Sequence, residues 1–178
     1  MLLAVVLCVL LSTGASPALA KPIRASNGRA LAATQEHSLL QSRQLWATVD
    51  VCNAPNQPNT VGIRGSMPSD GHPHDRMYMR FGLQYFNSVT KLWVDLLQGA
   101  SSSFLPVGSA STTRQDGRSF QLVPGQAAFM LRGVVSFQWR RGAKVVHSVT
   151  RPTTAGHTSL AGADPAGFSA ATCAITST

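Results

Sequence analysis

From about residue 45 onward the apolar positions recur at every second residue, in runs broken by Gly, Pro, Asn and Asp. A period of two puts alternate side chains on opposite faces of an extended strand, so the pattern predicts β-structure. In the first run Leu45, Ala47, Val49 and Val51 alternate with Trp46, Thr48, Asp50 and Cys52, before Asn53, Pro55, Asn56 and Pro58 end it. Residues 60–67 form a weaker strand in which Gly62 and Gly65 point to a bulge or a close backbone approach. The clearest run covers 76–86: Met77, Met79, Phe81, Leu83 and Tyr85 face one way, and Arg76, Arg80 and Gln84 the other. One face is core and the other is wet.

Residues 91–98 follow after Asn87 and Ser88, with Leu92, Val94 and Leu96 expected inward and Lys91 and Asp95 outward, which predicts a hairpin. Pro106 confines 104–107 to a sheet edge or bulge. Gln115, Asp116 and Gly117 read as a turn ahead of a strand over 119–123. A long strand is expected over 127–139, where Phe129, Leu131, Val135, Phe137 and Trp139 share a face. Arg140, Arg141 and Gly142 then turn into a strand over 144–150, and a last strand covers 169–175. Strands at roughly ten-residue spacing with no strongly amphipathic helix among them predict an all-β fold, an antiparallel sandwich of about seven to nine strands.

Residues 1–20 depart from this pattern. An unbroken apolar run from 2 to 11 leads to Ala18, Leu19 and Ala20, a small-x-small cleavage site, and reads as a signal peptide. The run is shorter than the roughly 20 residues a membrane span needs, so no transmembrane segment is expected. Residues 21–43 are small or polar and read as a flexible arm or linker, with a weakly apolar helical face over 30–42. The sandwich domain is assigned to 44–178.

Export changes the meaning of the cysteines. Cys8 leaves with the signal peptide, and Cys52 and Cys173 remain, in a compartment where disulfides persist. Neither has neighbouring ligands for a metal or a base to activate it, so they are expected to pair. The bridge would join the first strand to the last and restrict a loop of about 120 residues.

The segment from about 45 to 175 resembles the Ig-like and fibronectin-type β-sandwiches of secreted bacterial proteins. The likeness is carried by Phe137-x-Trp139, by the strand at 145–151 with Thr153 after it, and by Ser169-Ala170-Ala171-Thr172-Cys173. It departs from antibody-type domains, because the cysteines lie in the outermost strands and no Trp follows Cys52 at the expected spacing. The resemblance implies an architecture and predicts no activity.

Fifteen Lys and Arg against seven Asp and Glu give a formal charge of +8, and ten of the basic residues lie between Arg64 and Lys144. That balance favours polyanionic partners, such as an anionic wall or host polymer, or another extracellular protein. Specific nucleic-acid recognition is not expected. The candidate anion-binding strip comprises Arg76, Arg80, Lys91, Arg140, Arg141 and Lys144, with Tyr78 and Trp93 placed to add stacking.

Catalytic patterns are missing from the sequence. No Gly-x-Ser-x-Gly elbow or phosphate-cradling glycine loop is present, and nothing in the spacing pairs the scarce carboxylates as a glycosidase requires. The protein is therefore expected to be a secreted or cell-surface, non-catalytic binding module without a cofactor. The alternative is a small exported Zn or Cu protein built on Gly71-His72-Pro73-His74-Asp75, with His72, His74 and Asp75 as ligands and His147 or His157 completing the set.

Overall fold

The computed structural model describes residues 23–96, 102–123, 129–157, 160 and 162–175, so the signal peptide expected over 1–20 lies outside the described residues. The elements run α1 (Ile23–Leu40), β1 (Trp46–Cys52), β2 (Thr60–Met67), β3 (Arg76–Asn87), β4 (Leu92–Asp95), β5 (Leu105–Ser109), β6 (Arg114–Gln121), β7 (Phe129–Arg141), β8 (Lys144–Pro152) and β9 (Cys173–Ile175). The fold is all-β, two antiparallel sheets stacked as a sandwich. One has three strands in the order β1-β2-β6. The other has six, in the order β4-β3-β7-β8, with β5 pairing β3 and β9 pairing β7. Among the described residues no helix is long and apolar enough to cross a membrane.

The period-two faces read from the sequence become the core. Met77, Met79, Phe81 and Leu83 of β3 and Leu131, Val135, Phe137 and Trp139 of β7 are buried against Val49, Val61, Ile63 and Met67 of the smaller sheet. Each large side chain so buried contributes about 1.5–3 kcal/mol. Gly65 and Gly133 let the sheets approach closely. A Cβ on Gly133 would stand 2.6 Å from Thr153 Cγ2 and 2.7 Å from Ile63 Cδ1, and one on Gly65 would stand 3.1 Å from Phe137 Cε1.

Strand β1 is buried on both faces, including the positions of Thr48 and Asp50 that alternate with its apolar residues. The C-terminal segment covers it. Val49 and Ala170 exchange backbone hydrogen bonds, Asp164 N donates to Asp50 O at 2.9 Å, and the Thr48 and Ser169 hydroxyls lie 2.8 Å apart. Cys52 of β1 is bonded to Cys173 of β9, with Cα atoms 5.5 Å apart across a separation of 121 residues. The smaller sheet is thereby joined covalently to the strand that extends the edge of β7.

Three local expectations give way. The arm expected over 21–43 forms α1, whose last turns dock: Leu39 is buried, Gln35 Nε2 donates to Asp70 O at 3.2 Å, and Arg151 Nη2 donates to Leu40 O at 2.7 Å. That last bond satisfies a carbonyl that a helix end leaves without an intrahelical partner. Leu31, by contrast, is exposed, which is why the helical period is weak in the sequence. Gln115, Asp116 and Gly117 lie inside β6, not in a turn, because β6 pairs residue for residue with β2 from Thr60↔Gln121 to Met67↔Arg114. In the β3–β4 hairpin Lys91 occupies the turn, with φ 58°, and Leu92 is exposed where an inward position was expected.

Gly133→Ala should destabilise the fold by about 1–3 kcal/mol through overpacking between the sheets. Gly82→Ala serves as its control, since the nearest atom to a Cβ there is Val134 O at 3.9 Å, and should change stability by less than about 0.5 kcal/mol. Urea unfolding of both variants checks the contrast. Replacing Cys52 and Cys173 together by Ser should cost about 2–5 kcal/mol in the same measurement.

Candidate ligand-binding face

The outer face of the six-stranded sheet is built from the positions that alternate with the core. Cross-strand neighbours on β3 and β7 are Arg76↔Arg140, Tyr78↔Gln138, Arg80↔Ser136, Gly82↔Val134 and Gln84↔Arg132. Gly82 contributes no side chain, so the middle of this ribbon is low. A trough of about 360 Å³ opens over Gly82 and Val134, with Arg80 and Ser136 toward one end, Gln84 and Asp95 toward the other, and Thr150 of β8 at the side. Its size is at the lower end of the roughly 300–1,000 Å³ common for small-ligand sites.

Aromatic rings hold the arginines at both ends. At one end the Arg140 guanidinium lies 4.2 Å from the Tyr78 ring centroid and 5.2 Å from that of Phe104, and Arg80 lies 5.1 Å from Phe104. At the other, Arg132 sits 4.5 Å from the Trp93 ring, and Phe86 packs against Trp93 with centroids 5.3 Å apart. Each guanidinium over a ring gains about 0.5–1 kcal/mol at an exposed site. Gln138 Oε1 accepts from Arg140 Nε and Nη2, and Gln84 Oε1 accepts from Arg132 Nε while Gln84 Nε2 donates to Asp95. Burial lowers the Arg132 pKa from its ordinary value. Among the described residues none of Arg80, Arg132 and Arg140 has a carboxylate in ion-pair range. Positive charge is thus fixed in place and left unneutralised, while the Ser136 and Thr150 hydroxyls, 3.0 Å apart, offer neutral hydrogen-bonding groups beside it.

The basic strip expected from sequence is divided by the fold. Arg76, Arg80 and Arg140 share this face. Arg141, the next residue on β7, is bound elsewhere: its Nε and Nη2 donate to the two carboxylate oxygens of buried Asp75 at 2.8 and 2.9 Å. Lys144 pairs in register with Arg141 at the hairpin end, and Lys91 lies in the far turn of β3–β4. Arg132, Phe104 and Gly82 were not singled out by sequence. Arg132 is in phase with Arg140 along β7, which is a usable signal; Phe104 comes from a loop and carries none.

The histidines do not converge. His74 is exposed, and the group that forms is Asp70, His72 and Asp75, with one ligand atom from each within 4.8 Å of the others. Burial pushes the Asp70 carboxyl up, whereas the Arg141 guanidinium holds Asp75 below the usual carboxylate range. His147 meets Trp139 edge-on and lies 3.6 Å from Glu36 of α1. His157 stacks on Trp46 with centroids 4.3 Å apart and planes 13° apart, and its Nε2 lies 3.0 Å from Thr154 Oγ1. These two stand in for packing contacts where the sequence reading allowed ligands.

Burial lowers the His157 pKa. The neutral ring therefore contributes stability above the unfolded value of about 6.5, and that contribution is lost as pH falls through the lower folded value. Acidification through this window should loosen the Trp46 stack and lower the melting temperature, and His157→Phe should flatten that part of the pH profile. Thermal unfolding followed by tryptophan fluorescence measures both.

No protein-family model matches the chain, and no curated protein matches its sequence. Among solved structures, it is similar to the Pseudomonas fluorescens alkylpurine DNA glycosylase AlkC bound to DNA containing an abasic site analog, at 12% identity and a TM-score of 0.31. That match covers 61% of this chain and 28% of the glycosylase, and a likeness so loose carries no argument.

Proposed function

We propose that this protein is an exported, Ig-like, non-catalytic module that binds an anionic polymer of the wall or host surface across the outer face of its six-stranded sheet. The observation that carries the reading is the set Arg80, which lines the open trough, and Arg132 and Arg140 on the same sheet face, all held by ring contacts and none neutralised by a carboxylate among the described residues. A guanidinium already oriented by an aromatic ring loses little further freedom when an acidic group arrives, and its planar fork suits carboxylate, sulfate and phosphate. The exposed parts of Tyr78, Trp93 and Phe104 add flat apolar surface beside the charges, a combination suited to sugar rings bearing acidic groups. Export rests on the signal peptide read in residues 1–20 and agrees with the Cys52–Cys173 bridge.

The test is salt-dependent retention on an immobilised acidic polysaccharide such as heparin. A charge-assisted hydrogen bond contributes about 1.5–3 kcal/mol, so each arginine removed should weaken binding on the order of 10-fold or more. The Arg80→Ala, Arg132→Ala, Arg140→Ala triple variant should elute at much lower salt than wild type. Gly82→Leu, which fills the trough without a predicted clash at Cβ, should weaken binding while leaving the unfolding midpoint near wild type. Retention of both variants at wild-type salt would overturn the reading.

A further inference from the structure

Asp70, His72 and Asp75 lie in the loop between β2 and β3, and none of them lines the trough. The loop is held at both ends. Trp139 Nε1 donates to Pro68 O at 3.1 Å, and Ala110 N donates to Asp75 O at 2.9 Å. Within it His72 N donates to Asp70 Oδ1 at 2.8 Å and Asp75 N donates to His72 O at 3.0 Å. These bonds hold the loop backbone and the Asp70 carboxylate but require no ligand.

Asp70 itself supplies the requirement. Its side chain is only 2% exposed, and its Oδ2 is buried without a hydrogen-bond partner. A buried polar atom left in that state costs about 1–3 kcal/mol, and more when it is charged. The Asp75 carboxylate close beside it adds like charge. Arg141 neutralises Asp75 by gripping both its oxygens, while Asp70 Oδ1 has the His72 Nδ1 3.8 Å away.

We propose that Asp70, His72 and Asp75 bind one divalent transition-metal ion, with Zn²⁺ the best fit. The donors are two carboxylate oxygens and one imidazole nitrogen, a mixed set that Zn²⁺ takes readily, with a fourth position left for water. Ca²⁺ prefers six to eight oxygens, which three side chains do not supply. Zinc–ligand bonds of about 2.0–2.2 Å place tetrahedral donors roughly 3.4 Å apart. The 4.8 Å grouping must therefore close by about an ångström or more. His72, about half exposed, makes that movement by giving up the 3.2 Å contact of its Nδ1 with Asp70 O, while the two aspartates are held. Arg141 orients Asp75 and leaves it unused lone pairs, since a carboxylate has about four acceptor sites. The site is separate from the trough and stands whether or not the polymer reading holds.

The experiment uses tag-free, disulfide-bonded protein stripped with a chelator and titrated with ZnCl₂ by calorimetry, with Co²⁺ absorption reporting the ligand field. We expect one ion per chain and a rise in melting temperature on loading. His72→Ala and Asp70→Asn should each weaken Zn²⁺ binding by at least about 10–100-fold, the loss caused merely by disturbing groups around a metal site. His74→Ala should leave it unchanged. Without metal, Asp70→Asn should melt at or above the wild-type temperature, because the amide is isosteric, uncharged and able to donate to Asp75; this shows that the variant folds. Failure to bind one equivalent, binding unaltered in the Asp70 and His72 variants, or binding lost in the His74 variant would overturn the proposal.

Discussion

The pairing of β3 with β7 is the constraint on which the rest of the molecule depends. Ten residue pairs, from Arg76↔Arg140 to Tyr85↔Leu131, lock two long strands in a single register. A slip of one residue would send every side chain to the opposite face. In the observed register the inward set closes the core around Phe81, Phe137 and Trp139, and the outward set lines up arginines, glutamines and serine around Gly82. Core and candidate binding face are thus two consequences of one alternation. A change that weakens one strand's packing will disturb the ligand side with it.

Around this pair the remaining elements act as braces. The loop after β2 is tied down by Trp139 through Pro68 and by Arg141 through Asp75, so the end of the core that carries the largest ring also sets the acidic group above it. The C-terminal segment crosses between the sheets. Thr153 accepts from Gly133 N on β7, Thr154 N donates to Ala47 O on β1, and Ala170 lies along Val49. These contacts explain why β1 tolerates Thr48 and Asp50 at buried positions: Ser169 meets the first, and Arg64 Nε meets the second at 2.9 Å.

Most of the fold is legible in the sequence, for a physical reason. Strands buried on one face advertise themselves by a period of two, and Met77, Met79, Phe81 and Leu83 of β3 and Leu131, Val135, Phe137 and Trp139 of β7 are buried as that period implies, while the side chain of Phe129 lies outside the described residues. What the sequence hides is set by partners far along the chain. The residues 115–117 look like a turn because Gln, Asp and Gly favour turns, yet eight pairings to β2 hold them extended. Among the described side chains of helix α1, those from Gln35 onward touch the sandwich while Leu31 is exposed, so no strong apolar stripe is required. The candidate site was half legible. Alternation put Arg76 and Arg80 on one face, while Arg140 and Arg141 were both assigned to the hairpin turn; the pleat places Arg140 opposite Arg76 and sends Arg141 to Asp75. In the histidine motif His74 drew notice by proximity to His72, whereas Asp70 carried no pattern and was placed beside it by the folding of the loop.

One feature of the covalent structure reaches beyond the resting fold. Both sheets' central strands, the arginine face and the acidic loop all lie between Cys52 and Cys173. A protease that cuts any loop inside that interval yields two pieces still tethered through sulfur, and where the cut falls between β3 and β7 the long pairing of those strands keeps them aligned. Such a chain can be severed once without falling apart.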